Sequence, residues 1–132
     1  MTAAQFRSSP AWKRARARAI PGAVRCELCG GMLVPGAMPR TRWSTTVDHV
    51  VPLARLDLST AEGRTAALDP ENLRVAHCGC NSRRSAGHRA SRAYWSEQPQ
   101  AAPQVWSIAE AVHRLRQSDL DEFAGIDEPL RV

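Results

Sequence analysis

A chain of 132 residues has the size of one domain and is too short for two large ones. With 43% apolar and 23% charged residues it is neither membrane-embedded nor wholly disordered. No stretch approaches the roughly eighteen consecutive apolar residues of a spanning helix, and residues 1–10 lack the apolar centre of a secretory signal, so an intracellular, cytoplasmic protein is expected. The net charge of +5 is unevenly spread: residues 1–95 carry 15 Lys+Arg against 6 Asp+Glu, and residues 96–132 carry 3 against 7. Lys13 is the one lysine among the 18 basic residues. The planar guanidinium fork suits phosphate oxygens better than an ammonium does, so the basic body points to a polyanion partner. The plain alternative is a set of solvated arginines with no partner.

Ser8-Ser9-Pro10 followed by Ala, Trp and Lys/Arg-rich sequence has the cap and first-turn proline of a helix, expected over 9–20. Trp12, Ala15, Ala19 and Ile20 share one face, leaving Lys13, Arg14, Arg16 and Arg18 around the rest, and Pro21-Gly22 ends it. Residues 26–44, with paired glycines and Pro35-Gly36, suit a metal knuckle and a loose loop. Residues 43–47 are β-branched and aromatic, a short strand running into Asp48-His49. Residues 53–71 are expected as a surface connection with a helical turn near 53–58, then a second strand over 72–76 and a basic helix over 78–95. A linker is expected at 98–106. Ile108, Ala111, Val112 and Leu115 recur at helical spacing, predicting an amphipathic helix over 107–117, and residues 119–132 read as a frayed acidic tail. The fold class expected is small α+β.

Four cysteines without a secretory signal point to metal or redox chemistry rather than disulfides. Cys26-x-x-Cys29 before two glycines supplies half of a tetrahedral zinc site. The other half must come from His77-Cys78-Gly79-Cys80, where His77 with Cys80 copies the first spacing; Cys78 with Cys80, or cysteines alone with His77 idle, are the alternatives. A clamp across the 47 residues between Cys29 and His77 is structural, because four ligands leave no open position.

Inside that loop lie Asp48-His49 at a strand end and Asn72 at the next strand, with Asn81 directly after the last knuckle residue. Asp48 and Asn81 offer oxygens to a hard divalent cation such as Mg²⁺ or Mn²⁺. His49, neutral near pH 7, can take a proton from water. Asn72 can brace the loop carrying His49. Arg83 and Arg84, a turn beyond Asn81, together with Arg74, Arg14, Arg16 and Arg18, are expected to contact DNA phosphates.

The series Cys26-x-x-Cys29, Val47-Asp48-His49-Val50-Val51-Pro52-Leu53, Asn72-Leu73 and Ala76-His77-x-x-Cys80-Asn81-x-x-Arg84 resembles the HNH endonucleases, in their small zinc-containing bacterial and phage form. The resemblance covers about residues 9–90. It implies a ββα-metal core at 43–95 within a nuclease domain at 1–97, and hydrolysis of DNA phosphodiesters with one catalytic cation. In that scheme His49 activates water, Asp48 and Asn81 hold the cation, Asn72 is the middle asparagine, and His77 is a zinc ligand. Asn81 stands where many members have histidine, and His77 where many have cysteine. Phage members act beside the DNA-packaging terminase, which makes terminase subunits the implied partners. A non-catalytic zinc-stabilised DNA-binding module and a thiol protein using Cys78 and Cys80 are the competing readings.

Overall fold

The computed structural model describes residues 1–85 and 108–123. Two short helices open the chain, α1 (Ala3–Ser8) and α2 (Pro10–Ala19). Thr2 and Gln5 form a reciprocal capping box on α1. Ser9 ends α1 and caps α2, accepting from the Trp12 N–H at 3.2 Å, with Pro10 at the first helical position. This sharp corner brings Phe6 beside Trp12, their ring centroids 5.5 Å apart.

Strands β1 (Thr45–His49) and β2 (Leu73–His77) pair antiparallel, with Thr45 opposite His77, Val47 opposite Val75 and Asp48 opposite Arg74. Alternation along β1 sends Val47 and His49 to one face and Asp48 to the other. The Val47 face closes over Phe6, Trp12, Ala15, Leu28, Leu73 and Val75. Helix α4 (Cys78–Ser85) leaves directly from β2, its start tied down by Cys78 N–H to Ser44 O (2.7 Å) and Gly79 N–H to Arg42 O (3.0 Å). We number the remaining helices α3 (Ala61–Leu68), between the strands, and α5 (Ile108–Phe123). Ala111, Val112 and Leu115 of α5 pack on the buried Val50 and Val51. The architecture is a small α+β fold around a two-stranded antiparallel sheet.

Three sequence expectations change. Residues 53–71 are not a mere surface connection: after a 3₁₀ turn at Leu53–Arg55 they form α3, capped by Thr60, with Ala66 and Ala67 buried. A further helix, α1, precedes the one expected at 9–20. The acidic tail does not begin at 119; α5 runs on to Phe123 and buries Asp119. The end of the basic helix towards Trp95, the linker at 98–106 and the tail beyond 123 lie outside the described residues.

Helix α3 meets the preceding turn at Gly63, where a Cβ would overlap the Asp57 backbone carbonyl. Backbone cannot swing aside as a side chain can, so Gly63→Ala should cost about 1–3 kcal/mol. Thermal unfolding measures the cost, and an unchanged midpoint would refute this packing.

Candidate metal centre and the Asp48–Asn81 site

Cys26, Cys29, His77 and Cys80 converge, their ligand atoms all within 4.8 Å of one another. The first knuckle is shaped by Cys26 N–H to Gly31 O (2.8 Å) and Gly30 N–H to Cys26 O (2.9 Å), with Gly30 at φ +79°, a left-handed turn that glycine adopts without strain. The second half-site straddles the junction of β2 and α4, which presents His77 and Cys80 towards the first. His77 Nε2–H donates to Met32 O at 2.8 Å, leaving Nδ1 as the free lone pair, 3.3 Å from Cys29 Sγ and 3.9 Å from Cys80 Sγ. The His77 backbone N–H donates to Cys26 Sγ at 3.3 Å. Zinc bonds of about 2.3 Å to sulfur and 2.0 Å to nitrogen imply tetrahedral edges of roughly 3.5–3.8 Å, so these ligands fit a structural zinc ion.

The electrostatics agree with the geometry. Hydrogen bonds from Cys29 and Cys80 hold the Cys26 thiol far below the ordinary thiol range. Cys29 is pushed up to about 11, first by its bond to Cys26, and Cys80 is pushed up by its bonds to Cys26 and Cys29 and by burial. Three crowded thiols oppose one another's ionisation, which a cation among them would relieve. Of the three pairings open in the sequence, the cluster takes His77 with Cys80; Cys78 is not among its members.

The second site is built by α3, whose last carbonyls have no partner within the helix. Ala67 O accepts from His49 Nε2 at 2.8 Å, and Ala66 O accepts from Asn72 Nδ2 at 3.1 Å. Asn72 also accepts from the Val51 N–H at 2.7 Å, pinning the chain just beyond His49, as the brace expected from the sequence. The His49 ring stacks on Trp12, centroids 4.8 Å apart, with Phe6 edge-on at 5.9 Å. Burial pushes the His49 pKa below the ordinary histidine value, outweighing the Ala67 bond and Asp48, so the ring is neutral at pH 7. With Nε2–H committed to Ala67, Nδ1 carries the lone pair.

On the opposite face Asp48 meets α4. The Asn81 side-chain amide lies 3.0 and 3.2 Å from the two Asp48 carboxylate oxygens. With its NH₂ inward the amide donates two hydrogen bonds; with its oxygen inward, three oxygens meet at one place. Asp48 also bonds Arg74 at 3.1 Å and Arg84 at 3.4 Å. Asp119 of α5 bonds the same two arginines, each at 2.9 Å. Arg84 further donates to the carbonyls of His49 (3.3 Å) and Val50 (2.5 Å).

The structure thus brings Asp48 and Asn81 together and ties Asn72 to the His49 loop, while the His49 ring faces different partners from Asp48. Two of the six arginines expected at phosphates turn inward. Arg74 and Arg84 are buried and engaged by Asp48 and Asp119, because a guanidinium out of water needs an internal counter-charge. Arg14, Arg16, Arg18 and Arg83 are exposed. Sequence reasoning missed Asp119, yet the signal was there: 119 continues 111 and 115 along the apolar stripe, where a carboxylate demands a buried partner. No protein-family description, curated protein or solved structure matches this chain.

Elemental analysis should find about one zinc per chain. His77→Ala should lose the metal and the fold, since structural zinc in small domains contributes on the order of 10 kcal/mol, whereas Cys78→Ser should keep both. The reverse pattern would move the ligand to Cys78.

Proposed function

We propose that the protein is a metal-dependent DNA endonuclease of the HNH kind, with β1, β2 and α4 as its ββα-metal core and a structural zinc at Cys26, Cys29, His77 and Cys80. The observation that carries the proposal is the Asn81 amide set against both Asp48 oxygens at 3.0 and 3.2 Å, one residue in the chain from a histidine held neutral. Asp48 and Asn81 would hold Mg²⁺ or Mn²⁺, hard cations that prefer such oxygens. That cation, when bound, supplies stabilisation of the charge developing on the phosphate and the leaving oxygen.

The remaining work falls to side chains. His49 accepts the proton of the attacking water at Nδ1, the nitrogen its bond to Ala67 leaves free. Stacking on Trp12 and the bond to Ala67 fix the plane of the ring, so the base needs no reordering during reaction. Asn72 keeps the chain after His49 in register with α3. Arg14, Arg16, Arg18 and Arg83, exposed on α2 and α4, would hold phosphates without reading bases.

A second reading, a non-catalytic zinc-stabilised DNA-binding module, is favoured by one observation: the Asp48 carboxylate is already engaged by Arg74 and Arg84. The two readings part on one assay. Supercoiled plasmid should be nicked with Mg²⁺ or Mn²⁺ and protected by EDTA, and His49→Ala, folded and zinc-loaded, should cut about 10²–10⁴-fold more slowly. Equal nicking by that variant would remove His49 from the mechanism, and no nicking by the wild type would leave the binding module. Under either reading, DNA affinity should fall by orders of magnitude as salt rises from about 50 to 200 mM.

A further inference from the structure

Asp119 is the deepest carboxylate of the arginine cluster, with a side chain 1% exposed, while Asp48 at 13% faces outward towards Asn81. Arg74 stands between them, NH1 on Asp119 and NH2 on Asp48. Arg84 also spans the pair, Nε on Asp119 and NH1 on Asp48. Among the described residues, two guanidinium charges are therefore shared between these two carboxylates. One of those carboxylates comes from α5, well outside the run of residues 9–90 that carries the sequence motifs.

We propose that Asp119 is a positioning residue that sets how strongly Asp48 holds a divalent cation, by taking up the positive charge that Arg74 and Arg84 would otherwise direct at Asp48 alone. The inference rests on the cation reading given above. Without the Asp119 charge the two arginines draw on one carboxylate, and a cation approaching Asp48 and Asn81 meets a net positive surround. With it, the arginines still fix the Asp48 carboxylate in place, and one unit of their positive charge is offset on the inner side. The effect is electrostatic over a short distance in a largely dry cluster, where removing one unit charge changes cation affinity by about tenfold or more.

The test is Mn²⁺ binding by the zinc-loaded full chain without DNA, followed through the electron paramagnetic resonance of free Mn²⁺. Asp119→Asn keeps the shape and removes the charge, and should bind Mn²⁺ about tenfold more weakly. Arg74→Gln removes one positive charge and should bind it about tenfold more tightly. Opposite signs mark an electrostatic role; a merely structural cluster would loosen the site in both variants, and that result overturns the inference. So does unchanged affinity in both. Should Asp119→Asn fail to fold alone, Asp119→Asn/Arg74→Gln, which removes one charge of each sign, should bind Mn²⁺ about as tightly as the wild type, and binding as tight as that of Arg74→Gln alone overturns the inference. Asp48→Asn serves as the reference: wild-type protein that takes up no Mn²⁺, or takes it up equally with Asp48→Asn, overturns the cation reading and this inference with it. Wild-type binding that depends on Asp48 but not on residue 119 overturns this inference alone.

Discussion

The meeting of Cys26, Cys29, His77 and Cys80 is the constraint on which the rest depends. The chain leaves the first knuckle and returns after 47 intervening residues. Within that excursion lie β1, α3 and most of β2, a two-stranded sheet and short helices that have little stability of their own. Closing the loop at its base removes much of the entropy that would hold these elements apart. It also fixes the direction of α4, because His77 ends β2 and Cys80 sits in the first turn of the helix. Asn81 follows directly, so the knuckle that closes the fold also aims the amide at Asp48.

Helix α3 is the second device, and it acts through its end rather than its face. The carbonyls of Ala66 and Ala67 are acceptors left over by the geometry of any helix terminus. The protein satisfies them with Asn72 and His49, so a helix end becomes a jig that holds an imidazole tautomer and a loop together. The aromatic corner of α1 and α2 closes over the other side of the same ring. Removing water there is what keeps His49 uncharged.

Much of this was legible in the residues. The α2 cap, both strands within two residues, the amphipathic stripe of α5 and the Cys/His cluster follow from local patterns: a capping serine before proline, β-branched runs, helical spacing and paired two-residue gaps. Residues 61–68 were not legible as a helix because Gly63 and Thr65 have weak helical preference and the face they bury is mostly alanine. The burial of Arg74 and Arg84 was not legible for a different reason. Arginine in a basic chain reads as surface charge, and only the depth of Asp119, set by tertiary packing of a distant helix, reveals that both turn inward.

That inward turn alters how charge should be counted here. The +5 of the whole chain includes two guanidinium groups whose fields are cancelled by Asp48 and Asp119 within the cluster, and they contribute little to attracting a polyanion. Under the proposed function, that attraction would come from exposed groups such as Arg14, Arg16 and Arg18 on α2 and Arg83 on α4. Arg74 and Arg84 instead join the back of the Asp48 site to α5, with Val50 and Val51 packed on Leu115 beside them. A carboxylate that is to meet a cation must be held firmly yet keep its charge, and sharing two cations with a second, buried carboxylate satisfies both demands. Under the proposed function, α5 would then belong to the working part of the molecule, although nothing in the motif-bearing segment announces it.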